Sequence, residues 1–152
     1  MSDGGEARRV VSAEREVAAG AAWIFELIAD PAQQPRWDAN DNLAHAEPGH
    51  RVRSVGDVFE MTLTHGAVRE NLIVEFEEAR RIAWMPSEAG VQPIGHLWRW
   101  ELEPLGDNRT RVKHTFDWTD LSDERRLARA RATTSEMLRG SVDRLAALAE
   151  VE

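Results

Sequence analysis

Two hydrophobic periods divide the chain. Up to about residue 120 apolar and polar residues alternate with period two, and beyond Ser122 they recur with period 3.6, so strands precede a helix. Residues 10–17 (VVSAEREV) predict a first strand. The apolar run 21–29 predicts a short helix ending at Asp30-Pro31, because proline disfavours helical geometry in the residue before it. Residues 33–37 predict a second short helical turn, 38–42 a polar loop, and 43–47 an edge strand closed by Pro48-Gly49. Residues 57–64 and 67–76 alternate on either side of His65-Gly66. Taken as a two-residue turn, for which Gly66 supplies positive φ freely, this pairs Met61 with Glu70 and Phe59 with Leu72. Glu70 is then an anomaly on an apolar face.

Residues 81–85 predict a further strand with Ile82 and Trp84 inward. The stretches 94–103 and 110–119 predict a long hairpin. His96, Trp98, Trp100 and Leu102 share a face of its first arm, and Val112, His114, Phe116 and Trp118 a face of its second. His114 therefore falls beside or diagonal to Trp98 or Trp100. From Ser122, read as an N-cap, one stripe runs through Leu127, Ala130, Thr134, Met137, Leu138, Ser141, Leu145 and Leu148. It predicts a single long amphipathic helix whose apolar side covers the concave face of the sheet.

Composition narrows what such a domain does. A chain of 152 residues matches one domain, expected over 10–150 after a flexible tail over 1–9. The absence of cysteine excludes disulfides, zinc ribbons and thiol catalysis. With 27 acidic against 19 basic residues the net charge is −8, which argues against nucleic acid or an anionic membrane surface as partner. No stretch approaches the ~20 apolar residues of a membrane span, and residues 1–6 lack a signal-peptide layout. A cytoplasmic protein without integral membrane association, monomeric or homodimeric, is expected. There is no GxGxxG, GxxxxGK[ST], GxSxG or HExxH, and no cofactor or metal is expected.

Several stretches carry a resemblance. They are Ile24 to Pro31 (IFELIADP) with Pro35-Arg36-Trp37, Val55-Gly56-Asp57 before a strand, Trp98 to Leu105 (WRWELEPL) with Gly106 to Val112, and His114 to Trp118 (HTFDW). In that order the chain resembles the START-like or SRPBCC superfamily, and within it the bacterial polyketide cyclase/dehydrase and lipid-transport group. The resemblance implies an α+β helix-grip fold. A curved antiparallel sheet of about six or seven strands wraps a long C-terminal helix, with two short helices after the first strand. It also implies an elongated cavity between sheet and helix that takes lipids, sterols, hormones or polyketides.

Six tryptophans and no tyrosine fit a cavity with flat apolar walls, since Leu, Ile and Val fill a core without a donor to satisfy. Trp84, Trp98, Trp100, Phe59, Met61 and Met137 are candidate wall residues, with Trp118 a further possibility. Trp23 and Trp37 are expected to pack the short helices against the sheet edge, near the cavity mouth. Glu70, His96 and His114 are the ionisable groups expected on the inner face. Three readings follow, in order. The first is a binder of a small hydrophobic, lipid-like or aromatic polyketide-like molecule. The second is a cyclase or dehydratase in which His114, with Glu70 or His96, moves protons. The third is a protein-interaction module.

Overall fold

The computed structural model describes residues 9–151. The expected tail lies outside the described residues except for Arg9, whose carbonyl accepts from the Trp118 N–H at 2.8 Å and whose guanidinium lies 4.6 Å from the Trp118 ring.

The elements are β1 (Val10–Val17), α1 (Ala21–Ala29), a 3-10 turn (Pro31–Gln33), α2 (Gln34–Trp37), β2 (Leu43–His45), β3 (Val58–Leu63), β4 (Val68–Glu77), β5 (Arg81–Glu88), β6 (Leu97–Gly106), β7 (Arg109–Asp117), α3 (Glu124–Ala132) and α4 (Ser135–Val151). Seven strands form one antiparallel sheet in the order β1-β7-β6-β5-β4-β3-β2. This is the α+β helix-grip architecture. No helix among the described residues is long and apolar enough to cross a membrane.

The end of α1 shows how the short helices are tied to the sheet. A helix leaves its last four carbonyls without helical partners. Here each is satisfied: Glu26 O by the Asp30 N–H (3.2 Å), Leu27 O by Trp37 Nε1 (2.8 Å), Ile28 O by Gln34 Nε2 (3.2 Å), and Ala29 O by the Val52 N–H (3.0 Å). The proline stop thus folds α2 back under α1 and holds Trp37 in one place.

The β3–β4 turn departs from the expected register. The Gly66 N–H bonds Leu63 O (2.9 Å) and the Leu63 N–H bonds Ala67 O (2.8 Å), so the loop holds three residues, 64–66, with Gly66 at φ +99°. Gly66 suits this bulged loop as well as the two-residue one. The extra residue slides the pairing by one: Phe59 faces Asn71 and Met61 faces Arg69. A one-residue slip exchanges the faces of a strand. Arg69, Asn71 and Ile73 therefore share the inner side with Phe59 and Met61, and Glu70 turns outward, where its Oε1 accepts from the Gly90 N–H at 3.1 Å. The inward assignment of Glu70 is thus corrected. A bulge between Ile73 and Glu75 reverses parity again, setting Phe76 opposite Ile82 and, edge-on, against Phe25 (5.6 Å between rings).

Strands β5 to β7 keep the expected faces. Ile82, Trp84, Trp100, Leu102, Val112, His114 and Phe116 are all buried. The outer face carries arginine–carboxylate pairs: Arg99 forks onto part-buried Glu75 (2.8 and 2.7 Å), and the more exposed Arg81–Glu101 pair (3.2 Å) is worth under about 1 kcal/mol.

The expected single long helix is two. Asp123, rather than Ser122, caps α3 by accepting from the Arg125 N–H (2.9 Å). The chain then leaves helical geometry at Thr133 (ψ 121°), and Thr134 Oγ1 accepts from the Met137 N–H (3.2 Å) to open α4. The break is a cap placed within a continuous apolar stripe. Leu138, Val142, Leu145, Ala146 and Ala149 of α4 are buried among core residues, whereas α3 buries only Ala130 fully.

Candidate functional site

A cavity of about 430 Å³ opens between the sheet, α2 with the loop after it, α3 and the first turn of α4. That size lies within the ~300–1,000 Å³ of ordinary small-molecule sites. Apolar walls come from Trp37, Met61, Leu63, Trp84, Trp98, Trp100, Phe116 and Met137. Polar atoms come from Asp38, Asn42, Arg69, Asn71, His96, His114, Arg126 and Arg129.

The strand pairing sets the central stack. His114 faces Trp100 across β6–β7, and its ring lies 3.8 Å from that of Trp100 at 15° and 5.5 Å from that of Trp98 at 17°. Trp37 meets Trp100 edge-on at 5.1 Å and 76°. His114 Nδ1 lies 3.1 Å from the Arg99 carbonyl. A carbonyl only accepts, so Nδ1 carries the proton and Nε2 the lone pair. Burial, opposed by that hydrogen bond, pushes the His114 pKa down to about 3. At neutral pH His114 is a neutral wall residue and acceptor, and its conjugate acid is too strong for efficient base catalysis near pH 7.

His96 sits just before β6. Burial first, then the charges of Arg126 and Arg69, push its pKa down to about 4, and its Nδ1 is buried without a partner among the described residues. The buried Trp100 Nε1 is likewise unpartnered. Such groups are costly unless something polar reaches them.

Gly95 holds His96 in position. At φ +120° it is the residue type that fits, and a Cβ there would lie 2.3 Å from Asp120 O. Gly95→Ala should therefore cost about 2 kcal/mol or more through backbone strain and push residues 94–96 away from 120–121. A thermal melt lowered by several degrees checks this, and an unchanged melt contradicts it.

Asp38 does not stand out in the sequence, where a loop of Asp and Asn reads as turn-forming and helix-capping chemistry. It ends α2 with its carboxyl lining the cavity. Burial, helped by Asp41 and opposed chiefly by a hydrogen bond from the Asn42 backbone, raises its pKa to about 6. The loop is pinned to α4 by Ser141 Oγ, which accepts from the Ala39 N–H (2.9 Å), and by Arg144, which donates to Asp38 O (2.9 Å) and Asp41 (2.8 Å). The Asn42 amide, with its nitrogen toward Asp38 Oδ2 (3.3 Å), presents its oxygen to Arg129 (3.0 Å).

Of the expected wall residues, Trp84, Trp98, Trp100, Met61 and Met137 line the cavity. Phe59 does not. It stands behind the wall, edge-on to Trp84 at 5.4 Å. Trp118 packs instead in a separate cluster with Phe116, Leu121, Ala130 and Leu138. Trp37, expected at the sheet edge near the cavity mouth, is buried and lines the cavity, while Trp23 is exposed. His96 and His114 reach the same cavity and Glu70 does not. Arg69 and Asn71 also line the cavity, because the three-residue loop turns inward the two residues that a two-residue turn would face outward. Among the described residues no three His, Asp or Glu side chains cluster closely enough to hold a metal.

Residues 8–150 match the family described as polyketide cyclase / dehydrase and lipid transport. Over 119 residues the chain is 29% identical to Rv0088, an uncharacterised protein of Mycobacterium tuberculosis strain H37Rv, covering 71% of this chain and 47% of that protein. The chain thus spans about half the length of the curated relatives it matches. Among solved structures, a START superfamily protein from Mycobacterium smegmatis superposes with a TM-score of 0.65 at 17% identity, covering 93% of this chain and 97% of that one. The Aha1 dimer from Colwellia psychrerythraea gives 0.63 at 13% identity (93% and 96%). DynU16, a putative protein in the dynemicin biosynthetic locus, gives 0.62 at 19% identity (91% and 46%). At these identities the structures share the fold.

Proposed function

Because the chain belongs to the polyketide cyclase/dehydrase and lipid transport family of the START-like superfamily, we propose that it binds a small, flat, largely apolar molecule in the cavity between the sheet and the C-terminal helices. The observation that carries this reading is the wall itself. Trp84, Trp98 and Trp100 line a cavity of about 430 Å³, with the polar side chains of Asn71, His96 and His114 set among them. Flat apolar surfaces with a few polar tips fit a ring system or a planar unsaturated chain. His114 supplies an acceptor at Nε2 in the middle of the stack.

A second reading, acid–base turnover of the same ligand, is favoured by Asp38. A carboxyl group with a pKa near 6 in the cavity wall is matched to proton transfer near neutral pH. His114, held near 3, is not.

Tryptophan emission followed while adding fatty acids, sterols and polycyclic aromatic phenols checks the binding reading. A saturable shift with at least one class is expected, with the complex visible by native mass spectrometry, and a flat response to all three overturns it. In the same incubations, a ligand recovered lighter by the mass of one water indicates turnover, and an unaltered ligand indicates binding alone.

A further inference from the structure

Resting on the reading of the cavity as a ligand site, we propose that the ligand carries a carboxylate, seated at the cavity mouth on Arg69, His96 and Arg126 while its apolar body lies along the tryptophan wall. The charge distribution is the first observation. The chain as a whole carries a net −8, yet the charged residues lining the cavity are Arg69, Arg126, Arg129 and one acid, Asp38. A cationic mouth on an acidic protein selects for anions by the local field.

The pairing of these groups is the second. Arg126 is held by Glu88 (2.7 Å), and Arg129 by the Asn42 amide oxygen (3.0 Å). Arg69 stands opposite Glu88 across β4–β5, on the same face, but Glu88 is taken by Arg126. The Arg69 guanidinium makes no hydrogen bond or ion pair among the described residues, although it lines the cavity. Its planar fork of five donors matches the two oxygens of a carboxylate. His96 lines the same cavity, held neutral by burial and by the charges of Arg126 and Arg69, and its Nδ1 is buried without a partner among the described residues. As the neutral tautomer with the proton on Nε2 it would give a carboxylate a further donor. The geometry comes from the loop of three residues at 64–66: the shorter turn would face Arg69 outward.

Paired probes separate this proposal from the reading it rests on. Calorimetric titration at about pH 7.5 compares 2-naphthoate with 2-naphthamide and decanoate with decanamide, each pair sharing a body and differing in charge. In at least one pair the acid should bind about tenfold tighter or more than its amide, and added salt should weaken the acid alone. Arg69→Gln should bring the two affinities together by weakening the acid while leaving the amide unchanged, and Arg69→Lys should restore part of the preference. Should Arg69→Gln fail to fold, Arg126→Gln should shrink the preference in the same direction. Acid and amide binding alike in the unaltered protein, or a preference that survives both Gln variants, overturns the carboxylate proposal and leaves the cavity reading standing. No binding of any probe overturns both.

Discussion

Replacing Trp100 with alanine should bring the protein to the edge of unfolding, lowering its stability in urea by about 3–5 kcal/mol. The side chain is fully buried. One face lies on the His114 ring at 3.8 Å, and the Trp37 ring meets it edge-on at 5.1 Å. Truncation therefore removes a large apolar surface and also the surface on which two neighbours rest. Trp37 in turn holds the end of α1 through its bond to Leu27 O, so the loss spreads to the helix–sheet junction. Against a total stability of about 5–15 kcal/mol for an ordinary domain, this is a large fraction. Trp100→Phe keeps most of the ring and discards an indole N–H that has no partner among the described residues, so it should cost about 1–2 kcal/mol. Urea midpoints of the two variants measure the contrast. Equal midpoints for Trp100→Ala and the unaltered protein would show that the stack does not support the core.

Acid should destabilise the protein through the histidines from about pH 6.5 downward, beginning before surface carboxylates titrate. Burial holds His114 at about 3, against about 6.5 in an unfolded chain. Between those values the unfolded chain binds a proton that the native protein does not. The stability contributed by a neutral His114 is therefore complete above about pH 6.5 and is lost as the pH falls towards 3. By pH 4 this amounts to at most about 3 kcal/mol. His96, pushed to about 4 by burial and by Arg126 and Arg69, acts in the same direction. Asp38 opposes them. With its pKa raised to about 6, its contribution is complete below its ordinary value near 3.8 and is lost as the pH rises through 6. With two histidines against one aspartate, the urea midpoint should fall steadily from pH 7 to pH 4. In His114→Phe, which keeps a ring between Trp98 and Trp100, that fall should be visibly shallower. An identical pH slope in the variant would rule out His114 as its source.

The parts of this site that the sequence reveals are those where periodicity runs unbroken. From Trp98 to Leu102 and from Val112 to Phe116 strict alternation meets no bulge, so the inward faces, and the meeting of His114 with Trp100, follow from parity. The β3–β4 hairpin hides its register because Gly66 suits loops of two or three residues equally. Val68, Leu72 and Val74 also make the outer face of β4 look as apolar as the inner one. That one ambiguity brought Glu70 in and left Arg69 and Asn71 out. The bulge near Val74, which returns Phe76 to the core, leaves no mark on composition. The division of the last helix is hidden for a related reason, since Thr133 and Thr134 lie within a stripe that continues across them. Asp38 is legible as a residue but not as a site, because its character comes from burial beneath α4 rather than from its neighbours in the chain.

The break at Thr133–Thr134 separates two evolutionary constraints that one continuous helix would join. α4 is fitted into the core at Leu138, Val142, Leu145, Ala146 and Ala149, so drift there threatens folding. α3 covers the mouth with Arg126, Arg129 and Ala130 and is held mainly by Leu127, Ala130 and the Arg126–Glu88 pair. Changes at the exposed positions of α3 therefore alter the rim of the cavity while the packed scaffold beneath it stays the same.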